Sequence, residues 1–165
     1  MSLPSSAADA APPRPAIYID ADACPVKDEV YKVARRYSRA VVVVANATLR
    51  VPTDSLFALV VRAGFGAADD YIAEVIQSGD IAITSDIPLA ARCVAKNAAV
   101  LDPKGRLLTD ANIGEAVGIR DLMDELRQSG QASGGPAPMT PQDRSRFLAK
   151  LDEVINALNR GRALR

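Results

Sequence analysis

Asp20-Ala21-Asp22-Ala23-Cys24-Pro25 follows the apolar run Ala16-Ile17-Tyr18-Ile19 and precedes a helical pattern. The stretch reads as a strand that ends in two carboxylates and turns into a helix, the opening unit of an α/β sheet. Residues two apart on a strand point to the same side, so Asp20 and Asp22 leave the strand end together. Two such charges about 4 Å apart repel by roughly 4 kcal/mol at an effective dielectric of 20. A chain that places them there needs a compensating cation or shifted pKa values. A divalent metal meets that need and directs attention to phosphate chemistry.

The pattern continues outward from this unit. Pro25 suits a first helical position, Asp28 and Glu29 a first turn, and Arg35 and Arg36 a last turn. Val26, Val30, Val33 and Tyr37 form that helix's inward face, and Val41-Val42-Val43-Val44 is a buried strand ending at Ala45-Asn46. Thr53 or Asp54 can cap a helix carrying Leu56, Leu59, Val60 and Ala63, closed by Gly64. Ala67-Ala68-Asp69 leads into another helix with Ile72, Val75 and Ile76 inward, ending near Gly79. Ile81–Thr84 is a third strand, Pro88–Asn97 a helix with Leu89, Cys93 and Val94 inward, and Ala98–Leu101 a fourth strand. Continuous apolar strands separated by helices imply an α/β fold, doubly wound, with a mainly parallel sheet covered by helices on both faces.

The last third differs. Asp102-Pro103-Lys104-Gly105 is a turn, Leu107-Leu108 a short strand, Thr109 a helix cap, and Arg120–Gln128 helical. Ser129–Pro138 is a Gly/Ser/Pro loop. Thr140-Pro141-Gln142-Asp143 then opens a helix with Phe147, Leu148, Leu151, Ile155 and Leu158 on one face, expected to pack back on the sheet. The expected organisation is a disordered extension over 1–15, one domain over 16–160 and a basic tail over 161–165.

Composition narrows the chemistry. The 165 residues suit a single domain, and 48% hydrophobic with 4% aromatic and no Trp calls for an Ala/Val/Ile/Leu core. Lys+Arg and Asp+Glu balance at 20 each, which argues against coating nucleic acid by bulk charge while leaving room for a local basic groove. The absence of His rules out Ser-His-Asp and Cys-His catalysis and His-ligated zinc. Cys24 and Cys93 form no CxxC pair and fit a reducing cytoplasm. No apolar run approaches the roughly 20 residues that span a membrane.

Ligands of open parallel sheets bind beyond the carboxyl ends of the strands. Read in order, those ends deliver Asp20 and Asp22, then Asn46, then Thr84, Ser85 and Asp86, and finally Asp102, while Asp69 opens a helix. Asp20, Asp22, Asp69 and Asp86 can thus converge as an all-oxygen site, which selects Mg²⁺ or Mn²⁺. Such ions activate water and neutralise charge on a phosphodiester. Plainer readings stand beside this one: Asp69 and Asp86 as helix caps, Asp80 as a turn residue, Asn46 as a strand terminator. Cys24 sits near a helix N-terminus, which lowers a thiol pKa, yet with no His it reads as a small buried neighbour. Lys27, Lys32, Arg50, Arg62 and Arg92 are candidates for substrate phosphate, with Lys27 and Arg50 nearest the strand ends.

The chain resembles the bacterial YaiI/YqxD family, within the PIN-like nuclease superfamily. The matching segments begin with Asp20–Pro25, Val44-Ala45-Asn46, Leu49-Arg50-Val51-Pro52, Ala63-Gly64-Phe65 and Ala68-Asp69. They continue through Gly79-Asp80, Thr84–Ala90, Asp102-Pro103, Gly105, Arg120–Met123, Gly134-Gly135-Pro136, Asp143-Arg144 and Phe147. The resemblance implies a doubly wound PIN-like domain in which acids bind Mg²⁺ or Mn²⁺ to cut RNA or DNA. Asp20, Asp69 and Asp86 would be the shared acids and Asp22 an additional one. A competing resemblance is to haloacid-dehalogenase-type phosphatases, with Asp20 as nucleophile, Asp22 as acid/base and Thr84-Ser85 at the later strand end. The order of the remaining Lys and acidic positions tells against it. A third expectation is a PIN-like fold that binds RNA or protein without catalysis.

Overall fold

The computed structural model describes residues 12–131 and 138–161. All five residues of β1 (Ala16–Asp20) and all six of β2 (Ala40–Ala45) are buried. Such runs need cover on both faces, and they obtain it. With β3 (Phe57–Val61), β4 (Ile81–Ile83), β5 (Ala99–Leu101) and β6 (Leu107–Leu108) they form one sheet in the order β3-β2-β1-β4-β5-β6. All pairings are parallel except β5 with β6.

Alternation along the strands separates two cores. Ile17, Ile19, Val41 and Val43 pack with Val30 and Val33 of α1 (Lys27–Tyr37) and with Phe147 and Leu151 of α5 (Pro141–Asn159). On the opposite face, Tyr18, Val42 and Val44 pack with Ile72 of α2 (Ala67–Val75) and Leu89 and Cys93 of α3 (Ile87–Val94). The α/β fold is therefore doubly wound. A further helix, α4 (Ile113–Gln128), contributes only Ala116 as a buried side chain.

The C-terminal helix docks as its apolar stripe requires. Thr140 Oγ1 accepts from the Asp143 amide, and the Asp143 carboxylate accepts from the Thr140 amide, both at 3.0 Å, a reciprocal cap of the α5 N-terminus. Asp152 accepts from Arg36 and Tyr37 of α1 at 2.7 and 2.8 Å. Gly105, at φ 89°, brings its turn against α5: a Cβ there would lie 3.0–3.1 Å from the Arg146 and Phe147 backbone.

Several expectations are corrected. Residues 57–61 are strand β3, not part of a helix closed by Gly64. Leu56, Leu59, Val60 and Ala63 have helical spacing, but Phe57-Ala58-Leu59-Val60-Val61 is rich in residues that fit a pleated surface, and the β2 edge supplies partners. The crossover from β2 is extended, and its Leu49, Val51 and Leu56 pack on the α1/α5 core. Thr109 does not cap a helix. Asn112 is the N-cap residue of α4, and its side chain accepts from the Thr109 amide at 2.8 Å and donates to the Leu107 carbonyl at 2.9 Å.

Asp80 is more than a turn residue. Fully buried, it accepts from the Ala16 and Gln77 amides, both at 2.9 Å, and pairs with Arg14, tying the start of β1 to the start of β4. Of the stretch expected to be a disordered extension, residues 1–11 lie outside the described residues. Arg14 also donates to the Val75 carbonyl at 3.0 Å. The Gly/Ser/Pro loop (132–137) and most of the basic tail (162–165) likewise lie outside them. Among the described residues, no helix is long and apolar enough to cross a membrane.

Candidate active site

The sheet winds outward in both directions from β1, with β2 and β3 on one side and β4 and β5 on the other. That reversal opens a crevice at the carboxyl ends of β1 and β4, where ligands of such sheets bind. Asp20 is the last residue of β1, and the pairing of Ile19 with Ile83 brings Thr84 alongside it. The buried Thr84 hydroxyl donates to Asp20 at 2.8 Å and accepts from the Asp86 amide at 3.0 Å. Thr84 therefore fixes two acids at once.

Each other acid is positioned by a different element. A single 3₁₀ turn (Ala21–Ala23) carries Asp22 to the surface, where its carboxylate accepts from the Asn46 amide at 3.1 and 3.2 Å. Asp86 is the N-cap of α3 and accepts from the Leu89 amide at 2.9 Å. Asp69 lies in the first turn of α2, and its carboxylate accepts no hydrogen bond from the described residues. Asp20, Asp22, Asp69 and Asp86, with Asn46 and Ser85, line one cleft of about 300 Å³, completed by Gly66 and Ala68. A larger cavity of about 880 Å³ lies at the opposite ends of β4 and β5, where Asp110 is its one carboxylate. The carboxylates therefore gather in the smaller cleft.

The acids feel one another. Burial pushes the Asp69 carboxyl up to about 6, reinforced by the negative charges of Asp20, Asp86 and Asp70. Burial likewise raises Asp20; the Thr84 hydrogen bond opposes this, Asp86 and Asp22 add to it, and Lys27 lowers it. Among the described residues, no basic side chain lines the cleft. Lys27 donates to the Cys24 carbonyl at 2.8 Å, and neither it nor Arg50 forms part of the wall. Arg92, beside Asp69 in the field of charges, donates to Asp70 at 2.8 Å.

The donor set is all oxygen and suits a hard cation. In their present positions, however, no three of the acidic or thiol side chains among the described residues form a group able to hold a metal ion. Asp20, Asp86 and Asp22 accept from Thr84, Leu89 and Asn46, whereas Asp69, half-buried, accepts from none of the described residues.

The cysteines take no part. Burial raises the Cys24 thiol, overriding the lowering expected from a helix N-terminus, and pushes Cys93 up to about 12. Both are buried free thiols. Two features of the site were not expected: the Asn46 backbone amide, not its side chain, holds Asp22, and Gly66 and Ala68 form part of the wall. The glycine pair around Phe65 was the signal for the latter.

The fold and site can be set beside known proteins. The family model described as "Uncharacterized BCR, YaiI/YqxD family" matches residues 18–157. A UPF0178 protein of Rhodospirillum centenum is 58% identical over 151 residues, covering 88% of this chain and 98% of that protein. A UPF0178 protein of Paramagnetospirillum magneticum is 55% identical over 145 residues, covering 87% and 96%. One of Rhodopseudomonas palustris is 52% identical over 148 residues, covering 89% and 90%. No solved structure matches significantly. The family match spans every acid of the cleft, from the end of β1 to the N-cap of α3, and continues into α5: the chain belongs to the YaiI/YqxD family.

Proposed function

We propose that this protein is a Mg²⁺- or Mn²⁺-dependent nuclease that hydrolyses phosphodiester bonds of RNA, or alternatively of DNA, in the cytoplasm. One observation carries the reading: four carboxylates from three separate segments line a single cleft at the winding reversal, where burial, and after it the charges of neighbouring acids, holds the Asp69 carboxyl at about 6. The resemblance to PIN-like nucleases supports it. Such crowding is unfavourable by itself and becomes favourable once a cation shares the cleft.

In this reading Asp20, Asp69 and Asp86 hold the ion, and Asp22 holds it or takes a proton from the attacking water. A bound divalent ion supplies charge neutralisation at the phosphate and a more acidic water. Thr84 fixes Asp20, while Ser85 and Asn46 orient phosphate oxygens. Lys27 and Arg50 contact the flanking backbone after leaving their present positions. Asp20 is a poor phosphatase nucleophile here, because it is buried, its carboxyl is raised, and no lysine lines the cleft to neutralise a bound phosphate.

The test is incubation of labelled single-stranded RNA and DNA with Mn²⁺ or Mg²⁺, with and without chelator. Cleavage that needs the metal and disappears in Asp20→Asn is the expected result. Cleavage indifferent to chelation or to Asp20→Asn contradicts the reading. Hydrolysis of p-nitrophenyl phosphate with an acyl-phosphate on Asp20 would replace it with phosphatase chemistry.

A further inference from the structure

We propose that Phe65 is a stacking platform for one unpaired nucleobase, so that the substrate is a single strand or an unpaired end; this rests on the nuclease reading above. Phe65 is fully exposed, unlike every other large apolar side chain among the described residues. An aromatic ring held wholly in water contributes nothing to the core, so its place in the turn calls for another explanation.

The turn presents the ring deliberately. The Ala67 amide donates to the Gly64 carbonyl at 3.2 Å, and Gly66 has φ 71° and ψ 1°. Those are the marks of a type II turn, with Phe65 at its first corner and glycine required at the second. Nothing lies within 4 Å of a Cβ built on Gly66, so backbone conformation and not lack of space demands glycine there. The next hydrogen bond, from the Asp70 amide to the Gly66 carbonyl at 2.9 Å, starts α2. The backbone that carries the ring is thereby tied to the helix turn that holds Asp69, and its neighbour Gly66 lines the acidic cleft. The Arg62 guanidinium lies 4.8 Å from the Tyr71 ring centre and braces the loop from both ends.

The surroundings favour a base over a protein surface. Phe65 is flanked by exposed Ala63 and Gly64, and the other exposed large apolar side chains among the described residues, Val61 of β3 and Ile119 and Leu122 of α4, are far less exposed, so within its own turn the ring stands alone and not in a broad apolar patch. A protein interface needs such a patch around its anchor, whereas a base needs one π face. Every charged residue of the cleft wall is acidic, so a nucleic acid gains most there from a neutral contact. Stacking is such a contact, and it is available only to a base already out of its duplex.

The experiment uses Phe65→Ala, Phe65→Leu and Phe65→Trp in the full chain with Mg²⁺ and a short single-stranded RNA, or the same RNA as a duplex. Because the chain has no Trp, Phe65→Trp places the sole tryptophan, selectively excitable above the tyrosine band, on the turn. Binding of the single strand is expected to quench it, the duplex much less. Phe65→Ala and Phe65→Leu are expected to weaken single-strand binding by about 5- to 150-fold, with Mn²⁺ affinity unchanged by calorimetry. Wild-type-like RNA affinity in Phe65→Ala overturns the proposal while leaving the nuclease reading intact. Wild-type protein that binds Mn²⁺ but neither this RNA nor a single-stranded DNA of the same sequence overturns both. Fluorescence that changes with protein concentration alone overturns the proposal and makes the ring a contact between copies.

Discussion

Replacing Asp69 with Asn is expected to stabilise the metal-free protein at neutral pH, an unusual result for a residue assigned to a functional site. Burial and the charges of Asp20, Asp86 and Asp70 move this carboxyl from 3.8 to about 6. At about 1.4 kcal/mol per pKa unit, the full penalty for ionising it in the folded state is roughly 3 kcal/mol. Asp69 is only half-buried, and solvent screening reduces this to about 1.5 kcal/mol. Its charge at the α2 N-terminus returns about 0.5 kcal/mol through the helix dipole, leaving a net cost of ~1 kcal/mol.

The sign follows from linkage: between about pH 4 and pH 6 the folded state holds this proton more tightly than the unfolded chain, so the group's contribution falls as pH rises. Asp69→Asn should therefore raise the melting temperature by about 2–4 °C at about pH 7.5, and the gain should vanish towards pH 4. Saturating Mn²⁺ should reverse the order, because only the wild type retains the carboxylate. Thermal denaturation with chelator and with Mn²⁺ reads all of this. A variant less stable than wild type at neutral pH without metal would show that the acids are not pressed together.

Other expectations concern the scaffold. Thr84→Val removes both the hydroxyl donor to Asp20 and the acceptor of the Asp86 amide, and urea unfolding should show a loss of roughly 2–4 kcal/mol. Asp80→Ala strands the Ala16 and Gln77 amides and unpairs Arg14; a loss of about 2–4 kcal/mol is expected, with Mn²⁺ affinity unchanged because the residue lies at the far end of β4. Gly105→Ala forces a Cβ against the α5 backbone at positive φ, costing roughly 2–4 kcal/mol and speeding hydrogen exchange in α5.

How much of this could be read from the residues varies with the range of the interaction involved. β1, β2 and β5 are near-continuous apolar runs, and α5 carries a stripe and a capping box, so local pattern determines them. The segment 56–63 satisfies helical spacing and strand propensity at once, and only the open edge of β2 decides between them. The meeting of Asp20, Asp69 and Asp86 was legible because strand ends of a parallel sheet share one rim. Side-chain commitments were not legible: Asp80 reaching Ala16 across the sheet, or Lys27 bound to the Cys24 carbonyl, depends on tertiary geometry that no local pattern records. The exposed ring of Phe65 falls between these cases, since Gly64-Phe65-Gly66 announces a turn but not its place beside the cleft.

The most direct measurement is calorimetric titration of Mn²⁺ into the wild-type protein near pH 6 and near pH 8, in buffers of different ionisation heat. Binding is expected at both, with proton release near pH 6, where the Asp69 carboxyl is part-protonated, and little near pH 8. Asp20→Asn should abolish the heat. No binding at millimolar Mn²⁺, or binding that survives Asp20→Asn unchanged, would contradict a cation-neutralised cleft.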